Sequence, residues 1–202
     1  MTSVRLKFEN GRLPDEFYIQ ALLLAEVIKR IVKKRASLQI SAVPKLQLQP
    51  ILEFMKRMRV NGLTKFDEKT YISTVNFYEN AAKMVLHQAL GAIVLYIPEH
   101  YVVKLFRELE YPALEDEEES SLEDACGTFC NLIAGNFKTG LTQLGYRELV
   151  MSHFSTFQND ILNGVEYDPT QKQLYEISFD IKEEKKIVVD FTMGLIPKLS
   201  DF

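Results

Sequence analysis

The chain has 202 residues, of which 47% are apolar and 26% are charged, and its formal net charge is −4 at pH 7. That apolar content suffices for a sizeable core, which excludes a wholly disordered protein. No run of about eighteen apolar residues occurs, which excludes a membrane-spanning helix, and residues 1–11 lack the apolar stretch of a secretory signal. We therefore expect a cytoplasmic protein.

Two helices are predicted in the first 65 residues. The first begins at Leu13–Glu16, where a proline and acidic residues favour a helix start, and its apolar residues recur at helical spacing up to a basic end at Arg35. The second is predicted over residues 50–60. Residues 1–65 would thus form a helical N-terminal extension or subdomain, which could pack on the main sheet or bind a partner.

The positive charge is concentrated in this portion, since residues 1–69 hold 14 Lys and Arg against 7 Asp and Glu. A basic segment of this kind is one feature of proteins that bind nucleic acid or acidic lipid. Here the charges lie on amphipathic helices without glycine-rich or aromatic basic motifs, so a solvated helix face is favoured and nucleic-acid binding ranks last.

Residues 66–202 are predicted to form an α+β domain with an antiparallel sheet. Runs rich in β-branched and aromatic residues predict strands at 71–78, 83–87, 92–97, 148–157, 173–181 and 186–193. Hairpins are expected between the second and third of these and between the last two, while residues 159–170 are predicted as a loop. A helix is expected at 99–109 and a longer one at 121–145.

The longer helix follows five consecutive acidic residues, Glu115–Glu119, which are typical of an exposed loop. Its start is predicted from a capping box, in which Ser120 pairs with Glu123 or Ser121 pairs with Asp124. Gly145 is expected to end it.

Three glycines make this helix unusual, because Gly127, Gly135 and Gly140 each cost about 1 kcal/mol relative to alanine. A helix that accepts such costs needs close approach of another surface or particular polar groups. At about 100° per residue, Asp124, Thr128, Asn131 and Gly135 share one face. We call these four residues the polar stripe; it could admit a partner's backbone or active site.

Other reactive residues point to structural roles. Cys126 and Cys130 lie four apart on the same helix without a nearby histidine, so small buried side chains are favoured over a metal site. His87, His100 and His153 are scattered, and no nucleophile–histidine–acid arrangement or phosphate-binding glycine loop is recognisable.

The segment Asn131-Leu132-Ile133-Ala134-Gly135-Asn136, preceded by Asp124-Ala125-x-Gly127, resembles the signature helix of the CheC/CheX/FliY phosphatases. Members of this family remove the phosphoryl group from the aspartate of CheY-type response regulators. The order of elements over residues 70–195 is similar to that of CheX. The resemblance implies a CheX/CheC-like fold, in which an antiparallel sheet packs against long helices.

The resemblance also implies roles for residues on this helix. Asn131 would orient the attacking water, while Thr128 stands where the family has a glutamate that pairs with a lysine of the regulator. Asp124, one turn earlier on the same face, could take over that pairing. Glu123, Gly127, Gly135 and Asn136 would contact the partner. The Mg²⁺ would be supplied by the regulator, so no cofactor of the chain's own is expected.

The function implied is a phosphatase for the aspartyl phosphate of a CheY-like receiver domain. The alternative is a catalytically inactive adaptor on the same fold that binds a regulator or motor component, because Thr128 cannot form the salt bridge. A purely structural reading is a core helix whose asparagines bond locally. A homodimer is also expected, since exposed sheet edges invite strand pairing between copies.

Overall fold

The computed structural model describes residues 15–36, 43–110 and 119–199. The predictions for residues 1–14 and for the acidic residues 115–118 lie outside the described residues. The helices are α1 (Glu16–Ala36), α2 (Ala81–Val85), α3 (Glu99–Glu108) and α4 (Glu119–Gln143). The strands are β1 (Lys45–Pro50), β2 (Glu53–Phe54), β3 (Arg57–Asn61), β4 (Thr70–Tyr78), β5 (Gly91–Pro98), β6 (Val150–Met151), β7 (Ser155–Gln158), β8 (Asp160–Val165), β9 (Gln173–Ile181) and β10 (Glu184–Met193).

Two antiparallel sheets organise these strands. The larger has seven strands in the order β1-β9-β10-β5-β4-β6, with β7 also paired to β4. The smaller has three strands in the order β2-β3-β8. The predicted α+β class, with an antiparallel sheet packed against long helices, is confirmed.

The seven-stranded sheet separates two apolar cores. Along β5 the side chains alternate, as a strand requires, so that Ile93 and Leu95 join the core under the helices while Val94 and Tyr96 face the other side. Helices α1, α3 and α4 cover the first face. The three-stranded sheet covers the second face through Met58, Val60, Ile161 and Val165.

Helix α1 belongs to the main core. Asp15 caps it, because its carboxylate accepts a hydrogen bond of 2.6 Å from the backbone N–H of Tyr18. The predicted apolar positions Ala21, Leu24 and Ile28 are fully buried. Of the two roles left open for this portion, packing on the main domain is the one observed.

The prediction of a helix over residues 50–60 is wrong. That segment forms the β2–β3 hairpin, so among the described residues of 1–65 the only α-helix is α1, besides a single 3-10 turn at Gly62–Thr64. Pro50 and Asn61-Gly62 are typical of a helix start and end, but Met58 and Val60 are buried and alternate with Arg57 and Arg59, as in a strand. Strand β1 pairs with β9, which places it at one edge of the main sheet.

Two further predictions around the sheet need correction. Residues 83–87 do not form a strand, because Asn80 accepts a hydrogen bond of 3.0 Å from the N–H of Lys83 and starts α2 instead. β5 therefore pairs with β4. The predicted loop at 159–170 contains β8, whose inward Ile161 and Val165 fill the second core.

The strand predicted at 148–157 is interrupted, since β6 and β7 are separated by residues 152–154. The hairpin of β9 and β10 is confirmed. No helix in the described part of the chain is long and apolar enough to cross a membrane.

Candidate functional site

Helix α4 crosses the helical face of the sheet and packs on β4 and on α1. Its described residues begin at Glu119, and Ser120 and Ser121 are already helical there, so neither is the N-cap of the predicted capping box. It ends as predicted, because Gly145 adopts a left-handed φ of 88° that closes the C-terminus.

Two polar contacts fix the first turns of α4 against the sheet. Lys69 reaches Glu119 at 2.5 Å, and its ammonium together with Gln158 lowers the pKa of that carboxyl. Gln158 of β7 also donates a hydrogen bond of 2.8 Å to the carboxylate of Glu123. Sequence reasoning missed Lys69 and Gln158, since neither belongs to a recognisable motif and both reach α4 from distant segments.

The polar stripe faces away from the core. Asp124 and Thr128 are exposed, and Asn131 and Gly135 are partly exposed. On the opposite side of the helix, Ile133 and others are fully buried under α1 and α3. These four residues therefore lie on one solvent-facing side of α4, as the helical periodicity predicts.

Asn131 presents its amide on this surface. The amide forms no hydrogen bond with another residue of the described chain. Asn136 differs, because its amide donates a hydrogen bond of 2.8 Å to the backbone oxygen of Leu132. The local-bonding alternative therefore fits Asn136 and not Asn131, whose two donors and acceptor are free to hold a solvent molecule.

The carboxylates of Glu123 and Asp124 differ as the two asparagine amides do: one is bonded within the described chain and the other is not. Glu123 is partly buried and bound to Gln158, so it is committed to the fold. Asp124 is exposed and forms no ion pair within the described residues. Asp124 is therefore the carboxylate that a partner's cation can reach.

The three glycines of α4 have different surroundings. A side chain at Gly127 would meet the ring of Phe154 at 2.1 Å, and Gly127 is buried beneath it. The prediction that Gly127 contacts a partner is wrong, because the close surface is the chain's own β6–β7 connection. A side chain at Gly140 would similarly meet Leu23 of α1 at 3.0 Å, whereas a side chain at Gly135 would meet nothing within 4 Å. Only Gly135 opens onto the stripe.

The cysteines are structural, as expected. Cys126 and Cys130 are free thiols buried in the core, and burial raises the pKa of both. Among the residues described, no cluster of three or more His, Cys, Asp or Glu has the arrangement of a metal site.

Comparison of the sequence with protein-family models and with curated proteins gives no match. Solved structures do match in fold. CheX from Desulfovibrio desulfuricans aligns with a TM-score of 0.55 at 12% identity, over 87% of this chain and 99% of its own. A CheC-like superfamily protein from Shewanella sp. PV-4 gives a TM-score of 0.55 at 14% identity, over 89% and 99%.

FliY from Thermotoga maritima aligns with a TM-score of 0.56 at 14% identity, covering 91% of this chain and 92% of its own. At such identities the likeness establishes the fold. The chain therefore has the CheX/CheC-like fold that the resemblance of its longest helix implies.

Proposed function

We propose that this chain docks the polar stripe of α4 on a CheY-like receiver domain and accelerates hydrolysis of its aspartyl phosphate. The observation that carries the proposal is the Asn131 amide, which is outward and without a partner in the described chain, although the amide of Asn136 on the same helix bonds locally. The CheX/CheC-like fold supports the choice of partner.

In this proposal Asn131 holds a water molecule in line with the phosphoryl group. The water oxygen forms a bond to phosphorus as the bond to the aspartyl oxygen breaks, which releases inorganic phosphate, the free carboxylate and a proton. An amide can donate to and accept from one water without acting as a base, and phosphoryl transfer depends mainly on such positioning and on charge stabilisation. The Mg²⁺ that neutralises the phosphate belongs to the receiver.

Gly135 leaves room for the receiver's backbone, since nothing lies within 4 Å of the position of an added side chain. Asp124 supplies the charge that Thr128 lacks. It lies one turn further from Asn131 than Thr128 does, about 6 Å along the helix axis. A receiver cation must therefore reach that much further along α4 to pair with this carboxylate.

The second candidate is an adaptor that binds a receiver without turnover, and Thr128 favours it. A hydroxyl at this position carries no charge to hold a partner's lysine, so docking can survive while the water is held in an unproductive position. The two candidates share the docking surface and differ in the rate of phosphate loss.

The test follows the decay of a phosphorylated CheY-like receiver from the same organism, with and without the chain. The phosphatase proposal expects faster decay, and Asn131→Ala lowers the acceleration by about 100-fold, as loss of a positioned polar group does. Gln143→Ala is the matched control, because it removes an exposed amide from the same helix three turns away. If the wild-type chain does not accelerate the decay and the Thr128→Glu variant does, the chain is an adaptor and not a phosphatase.

A further inference from the structure

A cleft of about 520 Å³ opens beside one edge of the main sheet, on the face opposite α4. Its lining residues include Gln49 of β1, Arg59 of β3, Glu176 of β9, Asp190 of β10 and Lys65, which follows β3. We call it the edge cleft, because β1 is the last strand at this end of the sheet. Its volume lies within the range of small-molecule sites, and it is separate from the polar stripe.

The floor of the edge cleft holds a buried network of charged groups. Asp190 is 5% exposed, and one of its carboxylate oxygens accepts a hydrogen bond of 2.7 Å from the hydroxyl of the fully buried Tyr96. The ammonium of Lys65 donates to the other oxygen of Asp190 at 2.8 Å and to one oxygen of Glu176 at 2.6 Å. Buried ion pairs add little net stability, because removing the charges from water is costly. Charges placed in this way along a cleft are more typical of a binding site than of a core.

Two charged groups that line the cleft have bonding capacity that the chain does not use. Glu176 bonds to Lys65 through one carboxylate oxygen, and its other oxygen has no partner among the described residues. Arg59 is exposed, and its guanidinium forms no ion pair or hydrogen bond within the described chain. Arg59 and Glu176 therefore line the same cleft with opposite charges that do not meet, and a ligand carrying a charge of each sign can bridge them.

We propose that the edge cleft binds a free α-amino acid with an apolar side chain. The guanidinium of Arg59 binds its carboxylate, a pairing that the planar fork of arginine favours, and the free oxygen of Glu176 accepts a hydrogen bond from its ammonium. The charged residues that line the cleft are two cations, Arg59 and Lys65, and two anions, Glu176 and Asp190. A zwitterion leaves this balance at zero, whereas a simple anion or cation leaves one charge of the cleft uncompensated.

Apolar residues beside the charges fit the side chain of such a ligand. Pro50, Leu52 and Leu174 line the same cleft, and Leu52 is 65% exposed. An aliphatic side chain placed against these residues leaves water and covers part of Leu52, which favours binding. A neutral sugar would use neither the guanidinium of Arg59 nor the free carboxylate oxygen of Glu176 as a charge partner, so it fits the cleft less well.

The test measures binding of three probes to the full chain by isothermal titration calorimetry. L-leucine carries both charges, 4-methylpentanoate lacks the ammonium, and 3-methylbutylamine lacks the carboxylate. Each analogue should bind at least about tenfold more weakly than leucine, because it loses one charge-assisted contact. Arg59→Gln should weaken leucine and 4-methylpentanoate by at least about tenfold and leave 3-methylbutylamine unchanged. Glu176→Gln should weaken leucine and 3-methylbutylamine without weakening 4-methylpentanoate.

A matched control separates the cleft from general charge effects. Arg147→Gln removes an exposed cation that does not line the cleft, so all three affinities should stay unchanged. Circular dichroism checks that each variant folds, and the comparison of the three probes on the wild type stands even where a variant does not. No binding of leucine up to about 10 mM, equal binding of leucine and its analogues, or equal losses in Arg147→Gln and Arg59→Gln would overturn the proposal.

Discussion

The surroundings of two glycines on α4 predict opposite effects of the same substitution. Gly135→Ala adds a methyl group where nothing lies within 4 Å, so the gain in helix propensity should stabilise the fold by about 0.5–1 kcal/mol. Gly127→Ala gains as much from propensity but places the methyl carbon 2.1 Å from the ring of Phe154. Ordinary contact begins near 3.4 Å, so the ring must move by more than 1 Å.

Overpacking of this kind costs about 1–3 kcal/mol. After the propensity gain, Gly127→Ala should be destabilising by up to about 2 kcal/mol, and the two variants should differ by about 1–3 kcal/mol. Urea denaturation followed by circular dichroism measures the difference. In a Phe154→Ala background the obstacle is absent, so Gly127→Ala should become as favourable as Gly135→Ala. Equal effects of the two alanines in the wild-type background would refute the packing account of these glycines.

Three further outcomes are expected. Lys65→Met should destabilise the fold by about 3–5 kcal/mol in urea denaturation, because it strands the buried carboxylate of Asp190, which Lys65 contacts at 2.8 Å. Burial lowers the pKa of Lys65, but the charges and hydrogen bonds of Asp190 and Glu176 outweigh burial and raise the pKa above 10.5. The stability that this ammonium contributes is therefore complete below pH 10.5 and should be lost as pH rises through the folded-state pKa. Gln158→Ala should lower the free energy of unfolding by about 1 kcal/mol or less. It should nevertheless slow receiver dephosphorylation, because Glu123 and the first turns of α4 lose their attachment to β7. Unchanged kinetics would show that Gln158 has no positioning role.

The strong periodic segments could be predicted from the sequence. The apolar spacing of α1 and the long run of α4 to Gly145 leave few alternatives, and the β-branched content of β4, β9 and β10 does the same for the sheet. The outward position of Asn131 followed from helix geometry alone, because the periodicity of α4 fixes which side is buried.

The short elements could not be predicted, because tertiary contacts decide them. The β2–β3 hairpin turns at Met55 and Lys56, which carry no turn signature, and it persists through the contacts of Arg57 with β8. The sequence also does not show which surface approaches Gly127. A glycine in a helix indicates a close neighbour, but it does not say whether that neighbour is a partner or, as here, Phe154 of the same chain.

The most direct test of the account is the affinity of the chain for a CheY-like receiver activated with beryllofluoride, measured by fluorescence anisotropy of the labelled receiver. If the polar stripe is the docking surface, Gly135→Trp fills its open position and should weaken binding by at least about tenfold, while Ala82→Trp, an exposed position on α2, should leave the affinity unchanged. Equal binding by both variants, or no binding by the wild type, would contradict the central claim that this face of α4 meets a receiver domain.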